Sequence, residues 1–106
     1  MNKDNEAREA FKHNKNSIVS YILSASYAYY VFDEGCILSD TAFDKACAWV
    51  YENWDRIEHQ HKHLFSREDM KNGSLFMLKP DDYPLIVRVT TEKWIEEARS
   101  LQRRQT

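Results

Sequence analysis

The residues best suited to chemistry lie in one short stretch from Tyr27 to Asp44, YAYYVFDEGCILSDTAFD. It places tyrosines before a glycine and two aspartates, Asp40 and Asp44, after it. Aromatic faces stack on planar rings, and carboxylates accept hydrogen bonds from amide or hydroxyl groups. If the stretch folds as helix end, loop and helix start, it predicts a site for a planar, partly polar ligand.

A long amphipathic helix is predicted in front of this loop, from about Asn5 to Val31. Its apolar stripe follows the helical repeat. The residues of the stripe are Phe11, Ile18, Ile22, Ala25 and Tyr29. The segment Asp33-Glu34-Gly35 ends the pattern, and Gly35 is the residue expected at positive φ.

A second helix is predicted after the loop, with Ser39 as its N-cap, Asp40 in its first turn and Leu38 packed on Phe43. Its apolar positions are Phe43, Ala46, Cys47, Val50, Trp54 and Ile57. A short connection between two long helices is typical of an antiparallel helical hairpin. The hairpin would bring Tyr29 and Tyr30 close to Asp40, Phe43 and Asp44.

The remaining chain predicts smaller elements. Ser66 can cap a helical turn over Ser66–Lys71 that Asn72-Gly73 closes. Leu75–Leu78 and the β-branched run Tyr83–Val89 could form a small two-stranded β ribbon. A C-terminal helix is expected to start at Thr90 or Thr91. Its predicted inward residues are Trp94, Ile95, Ala98 and Leu101, and its predicted end is a basic tail with Arg99, Arg103 and Arg104. The predicted fold is therefore mainly α.

Composition restricts the classes of function. The 106 residues suit a single domain, and 30% charged with 42% hydrophobic residues is a globular balance. A net charge of −2 offers no broad surface for nucleic acid, so direct binding to it should be weak or absent. Cys36 and Cys47 are too few for a disulfide framework, and no apolar run approaches a membrane span. We therefore expect a cytoplasmic protein without a membrane partner.

The run YYVFDEGCILSDTAFD resembles the N-terminal subdomain Ia of bacterial NAD-dependent DNA ligases, which holds the nicotinamide mononucleotide half of NAD. In this resemblance Tyr29 and Tyr30 match the tyrosine motif that ends the family's first helix. Asp40 and Asp44 match its two aspartates, and Phe43 stands where a tyrosine is usual. The resemblance covers about residues 18–60 and leaves 61–106 as a C-terminal extension. It implies a site for NAD or nicotinamide mononucleotide.

The chain departs from the ligases in three ways. The loop from Asp33 to Asp40 is one residue longer than the common spacing, and Phe43 lacks the tyrosine hydroxyl. No Lys-x-Asp-Gly motif occurs, so the lysine that attacks the adenylyl phosphate is missing. The resemblance therefore implies a non-catalytic, ligase-like module of the kind that phages often encode.

A histidine-dense segment could contribute a weak phosphate site. His61, Lys62, His63 and Arg67, with Lys71 nearby, could together hold one phosphate of a mononucleotide. His59 and His63 are also spaced like zinc ligands on one face of a helix, but His61 would point away from them unless the helix has already ended, and the two cysteines lie elsewhere. We expect no metal. The alternatives are that these cations meet unpaired carbonyls at the C-terminal end of the second helix, or that they form a solvated face.

Two further functions stay open. The chain could be a small protein-interaction module that engages or inhibits a host DNA-processing or defence complex, with an aromatic surface around Tyr27–Tyr30 and Tyr83 as its hot spot. An independent enzyme, such as a nicotinamide-nucleotide hydrolase, is the third alternative. Nothing in the sequence favours that enzyme.

Overall fold

The computed structural model describes residues 3–32, 37–75 and 77–105, with the backbone alone for residue 32 and residues 101–105. This part of the chain contains five α-helices. They are α1 (Asp4–His13), α2 (Ile18–Phe32), α3 (Asp40–Glu52), α4 (Arg67–Asn72) and α5 (Leu85–Gln105). Single 3₁₀ turns lie at Lys15–Ser17, Trp54–Arg56, Lys62–Leu64 and Pro80–Asp82. The predicted mainly α fold is confirmed.

The prediction of one continuous helix from Asn5 to Val31 is wrong, because the chain leaves the helix at Asn14. This residue has extended backbone (φ −151°, ψ 107°), and its side chain accepts a hydrogen bond from the Asn16 N–H at 3.0 Å. Asparagine competes in this way for backbone donors and so favours helix caps over helix interiors. The apolar repeat continues across this break. The repeat alone therefore does not show where α1 ends and α2 begins.

Helix α2 forms the centre of the molecule. Its fully buried side chains are Val19, Ile22, Leu23, Ser24, Ser26, Tyr27 and Ala28. These positions lie on several sides of the helix, and a helix that is apolar nearly all round needs cover on more than one face. Helices α1, α3 and α5 each pack against α2 and supply that cover.

Helix α3 runs back along α2 as the second arm of the predicted hairpin. At one end, the Glu58 N–H that follows α3 donates to Asn16 Oδ1 near the start of α2, at 3.0 Å. The loop joins the other two ends. Ser39 is the N-cap, as predicted, and its Oγ accepts a hydrogen bond from the Ala42 N–H at 3.2 Å. The helix ends at Glu52, before the histidine-dense segment 58–63 where its end was predicted, although Ile57 is still buried in the core.

The short helix α4 confirms the predicted caps. The Ser66 side chain accepts from the Asp69 N–H while the Asp69 carboxylate accepts from the Ser66 N–H, which is a capping box. Gly73 ends the helix in the left-handed conformation at φ 66°. Glycine adopts this conformation without the steric cost of a Cβ atom.

The predicted β ribbon is wrong for the residues that the structure describes, because Leu85–Val89 form the first turns of α5. Val87, Thr91 and Ile95 repeat every four residues and form a buried stripe along that helix. Burial of this stripe overrides the β preference of the branched side chains. The predicted cap at Thr90 or Thr91 is wrong for the same reason, since both residues lie inside α5. Phe76, in the other predicted strand, is outside the described residues.

The first testable prediction concerns Thr91, which is fully buried with no hydrogen-bond partner for Oγ1 among the described residues. Thr91→Val keeps the shape and removes the unsatisfied hydroxyl. It should raise the free energy of unfolding by about 1 kcal/mol or more. Urea denaturation measures the change, and Thr90→Val on the neighbouring, partly exposed position is the control. Loss of stability in Thr91→Val would show that the hydroxyl has a partner.

The second prediction concerns the buried hydrogen bond between Ser26 Oγ and Tyr83 Oη, at 2.7 Å, which joins α2 to the residue before Pro84. Ser26→Ala and Tyr83→Phe each leave one buried hydroxyl without its partner. Each should cost about 1–3 kcal/mol. The double variant should cost less than the sum of the two, because both polar groups are then gone. Additive losses in a urea denaturation cycle would contradict the bond.

Candidate functional site

Tyr29 and Tyr30 lie on the surface at the end of α2, with 58% and 45% of each residue exposed. Their rings meet edge to face, with centroids 4.9 Å apart. Tyr29 therefore does not belong to the inward stripe in which the sequence analysis placed it. Two adjacent tyrosines with exposed rings can offer faces to a planar ligand.

Tyr30 and Asp44 converge on the turn that follows α4. The Tyr30 hydroxyl is hydrogen-bonded to Ser74 Oγ at 3.2 Å. Asp44 Oδ1 lies 3.7 Å from the point where a Cβ on Gly73 would stand. Gly73 and Ser74 are consecutive, so the ends of α2 and α3 and the end of α4 meet at one place. The sequence analysis predicted that the ends of α2 and α3 meet. It did not predict that α4 ends at the same place.

A hollow of about 240 Å³ opens beside Asp44, between α3 and α4. Its lining includes Tyr51, Lys71 and Gly73. Asp44 and Glu52 give this hollow two carboxylates and Lys71 gives it one ammonium group, which suits a ligand that carries hydrogen-bond donors and an anionic group. We call the surface formed by Tyr29, Tyr30, Asp44, Gly73 and Ser74 the tyrosine–aspartate site.

The other predicted members of the site are placed differently. Asp40 is exposed in the first turn of α3, where a carboxylate is favourable to the helix dipole. Phe43 is half-buried and packs against the main core, so only part of its ring is open to a ligand. The loop residues Asp33–Cys36, including Gly35, lie outside the described residues.

The predicted aromatic hot spot is wrong at Tyr27 and Tyr83. Both residues are buried, and their rings pack with centroids 5.0 Å apart inside the core. Burial raises the pKa of the Tyr83 hydroxyl above its ordinary value, so this group stays a neutral hydrogen-bonding partner of Ser26. Only Tyr29 and Tyr30 of the predicted group remain on the surface.

The basic segment is turned towards the protein rather than gathered around an anion. The Lys62 ammonium donates to the carbonyls of Trp54 and Ile57 and lies over the Trp54 ring, 4.4 Å from its centroid. Arg67 Nε donates to the Tyr51 carbonyl at 3.0 Å, and its guanidinium lies over the Tyr51 ring. These cations therefore bond to carbonyls in the last turn of α3 and in the segment after it. This is the arrangement expected if the cations meet carbonyls near the end of the second helix.

The histidines of the segment also bond within the chain. His59 Nδ1 accepts the His61 N–H at 3.1 Å, so in the neutral ring Nε2 carries the proton and donates to Ser20 Oγ at 3.2 Å. His63 Nδ1 lies 2.9 Å from the Gln60 carbonyl. Within the described residues, no group of three His, Cys, Asp or Glu side chains is arranged to hold a metal ion.

Cys47 is a core residue that also lines the hollow beside Asp44. Burial, and to a smaller extent the charge of Asp44, raises the pKa of its thiol to about 12. The thiol is therefore protonated at neutral pH, and a protonated buried thiol is a poor nucleophile. This agrees with the prediction that Cys47 packs in the core.

A second hollow was not predicted from the sequence. It measures about 400 Å³ and lies between α1, α2 and α3. We call it the α1 groove, and its apolar lining includes Ala7, Phe11, Ile18, Leu38, Ala42 and Trp49. The continuous helix that the periodicity predicted would have carried α1 away from α3. Only the break at Asn14 lets α1 turn back over the other two helices.

No helix in the described residues is both long and apolar enough to cross a membrane. No family model, curated protein or solved structure matches the chain. The resemblance to the ligase subdomain therefore stays a prediction, and any function must be argued from the geometry of the chain itself.

The third prediction is a loss of stability in mild acid. Burial is the main cause that lowers the pKa of both His59 and His61 below the ordinary value of 6.5, with a neighbouring histidine as the smaller cause for each. As the pH falls below about 6.5, the unfolded chain takes up protons before the folded one does, so the free energy of unfolding decreases. Thermal melts between about pH 7.5 and about pH 5 should show a falling Tm.

The double variant His59→Gln His61→Gln should flatten this dependence, because the groups that gain protons on unfolding are gone. His13→Gln on the exposed surface of α1 is the control variant. An unchanged slope in the double variant would assign the acid sensitivity to other groups.

Proposed function

We propose that the tyrosine–aspartate site binds the nicotinamide mononucleotide part of NAD, as a non-catalytic module. The observation that carries the proposal is the convergence of Tyr30 and Asp44 on the Gly73–Ser74 turn. It gathers ring faces, a carboxylate and a backbone turn on one surface. The resemblance of the same residues to the ligase subdomain supports the choice of ligand.

Each part of the ligand has a partner of suitable chemistry. The rings of Tyr29 and Tyr30 would stack on the nicotinamide ring. The Asp44 carboxylate would accept a hydrogen bond from the carboxamide or a ribose hydroxyl, with Asp40 as a second acceptor at the start of α3. Lys71, which lines the hollow beside Asp44, is better placed for the phosphate than Lys62 and Arg67, which are engaged elsewhere.

The expected affinity is modest. Nicotinamide mononucleotide has roughly twenty non-hydrogen atoms, and ligands of that size gain about 0.3 kcal/mol per atom. The sum of about 6–7 kcal/mol corresponds to a Kd near about 10 µM, or weaker where the site is open to solvent.

A second candidate function, a protein-interaction module, rests on a different surface. Leu85, Ile86 and Val89 are 66%, 63% and 52% exposed on the first turns of α5. Grouped exposed aliphatic residues are typical of interaction surfaces. In this alternative a protein partner, such as a host DNA-processing or defence complex, would cover that surface. The tyrosine–aspartate site would then not bind a nucleotide.

The fourth prediction tests the nucleotide. Thermal melts with nicotinamide mononucleotide at a hundredfold excess over Kd should show a stabilisation of about 2.7 kcal/mol, a shift of several degrees in a domain of this size. NAD should act in the same direction and AMP should not, since AMP lacks the nicotinamide ring. Asp44→Asn and Tyr30→Ala should each abolish most of the shift.

Asp55→Asn, which removes an exposed carboxylate after α3, is the matched control and should keep the full shift. An equal response to AMP, or an unchanged response in Asp44→Asn, would refute the nicotinamide site. The interaction module would then be the better candidate function.

A further inference from the structure

The α1 groove has the geometry of a second, separate ligand site. Its volume of about 400 Å³ falls within the range of about 300–1,000 Å³ that is typical of small-molecule sites. Its lining is mainly apolar, with a few polar groups at the edge, which is also typical of such sites.

Helix α1 is held at both of its ends and leaves a gap in the middle. At its start, the Lys3 N–H donates to the Ile37 carbonyl at 2.7 Å, and Asp4 Oδ1 accepts the Ser39 N–H at 2.9 Å. Towards its other end, the Phe11 ring packs edge to face on Trp49, with centroids 4.8 Å apart. Between these contacts the apolar side chains that α1 and α3 contribute to the lining are small, namely Ala7 on α1 and Ala42 and Ala46 on α3. No residue of α1 is fully buried, so the gap is not filled from that side.

Two cations stand at the edge of the groove, Arg8 on α1 and Lys45 on α3. Neither forms an ion pair within the described part of the chain, and Arg8 instead donates to the neutral Asn5 Oδ1 at 3.2 Å. Glu6 lies 3.3 Å from Lys3 and accepts from the Tyr21 hydroxyl, and Glu9 pairs with Lys12. Asp4 lines the groove as well, where its carboxylate accepts the neutral Ser39 N–H and keeps its charge. The charged groups of the lining are therefore two cations and one carboxylate, which leaves one positive charge in excess.

We propose that the α1 groove binds a small apolar molecule that carries one carboxylate. The apolar body lies over Ala7, Ala42 and Ala46, and the carboxylate lies at the edge between Arg8 and Lys45. A chain or ring of this kind fills the space that the alanines leave, and the anion meets the two cations without entering the apolar interior. The closed ends of the gap favour a compact molecule over an extended peptide.

The test uses three probes with the same alkyl chain: octanoate, octanol and octylamine. A ligand of this size is expected to bind with a Kd of about 1 mM. Alanine methyl signals in a carbon–proton NMR titration report the place of binding. Octanoate should shift the methyl groups of Ala7, Ala42 and Ala46 and leave that of the buried Ala28 unchanged. Octanol should bind about three- to tenfold more weakly, and octylamine more weakly still, because two solvent-exposed cations contribute modestly.

Two sets of variants separate the apolar and the charged contributions. Ala42→Leu fills the groove and should abolish the octanoate shifts, whereas Ala48→Leu makes the same change on another face of α3 and should not. Arg8→Gln with Lys45→Gln should reduce the affinity for octanoate to that for octanol. Lys15→Gln with Lys93→Gln removes the same charge elsewhere and should have no effect.

The proposal is overturned if octanol or octylamine binds as well as octanoate, or if the methyl groups around the groove do not respond at about 10 mM probe, roughly ten times the expected Kd. Unchanged binding in Ala42→Leu, with its fold verified by the dispersion of the same NMR spectrum, also overturns it. These outcomes are independent of nicotinamide binding, because the two sites share no residue.

Discussion

The structure depends on the need to cover α2 on all sides. A helix with apolar or small residues around its circumference cannot rest on the surface, since exposure of each large aliphatic side chain costs about 1.5–3 kcal/mol relative to burial. Ile22 and Ser24 are both buried although they are two residues apart and so lie on nearly opposite sides of the helix, which one neighbouring helix could not achieve. Helices α3, α5 and α1 each pack on α2 and together provide this cover.

The same requirement explains why the second half of the chain is helical despite its β-branched residues. Val87, Thr91 and Ile95 supply the apolar stripe with which α5 packs on α2. Tyr83 anchors the approach to that helix, because its ring packs on Tyr27 and its hydroxyl bonds to Ser26 within the core. The exposed aliphatic residues Leu85 and Ile86 are on the opposite side of the same turns, so they are a consequence of a helix that is apolar on both faces at its start.

Both hollows lie where this packing stops. Helix α4 has six residues and α1 has no fully buried residue, so neither seals its side of the α2–α3 hairpin. Close packing of the centre leaves little room for adjustment, whereas short or shallow elements at the margin leave concave surfaces. Binding at these margins is therefore compatible with a rigid core. The charged groups at the two margins differ: the hollow beside α4 has two carboxylates and one ammonium group, and the α1 groove has two cations and one carboxylate.

The local features could be predicted from residue types and spacing, because these features depend on neighbours along the chain. The caps at Ser39 and Ser66, the left-handed Gly73, the burial of Cys47 and the hairpin all follow from spacing and residue type. Contacts between residues far apart in the chain control the remaining features. They turned the predicted strand at Leu85–Val89 into helix, buried Tyr83, and directed Lys62 and Arg67 to backbone carbonyls and rings. The tertiary structure also brought Ser74 to Tyr30 and α1 over α3. Both contacts join residues far apart in sequence, and a local pattern holds no record of such contacts.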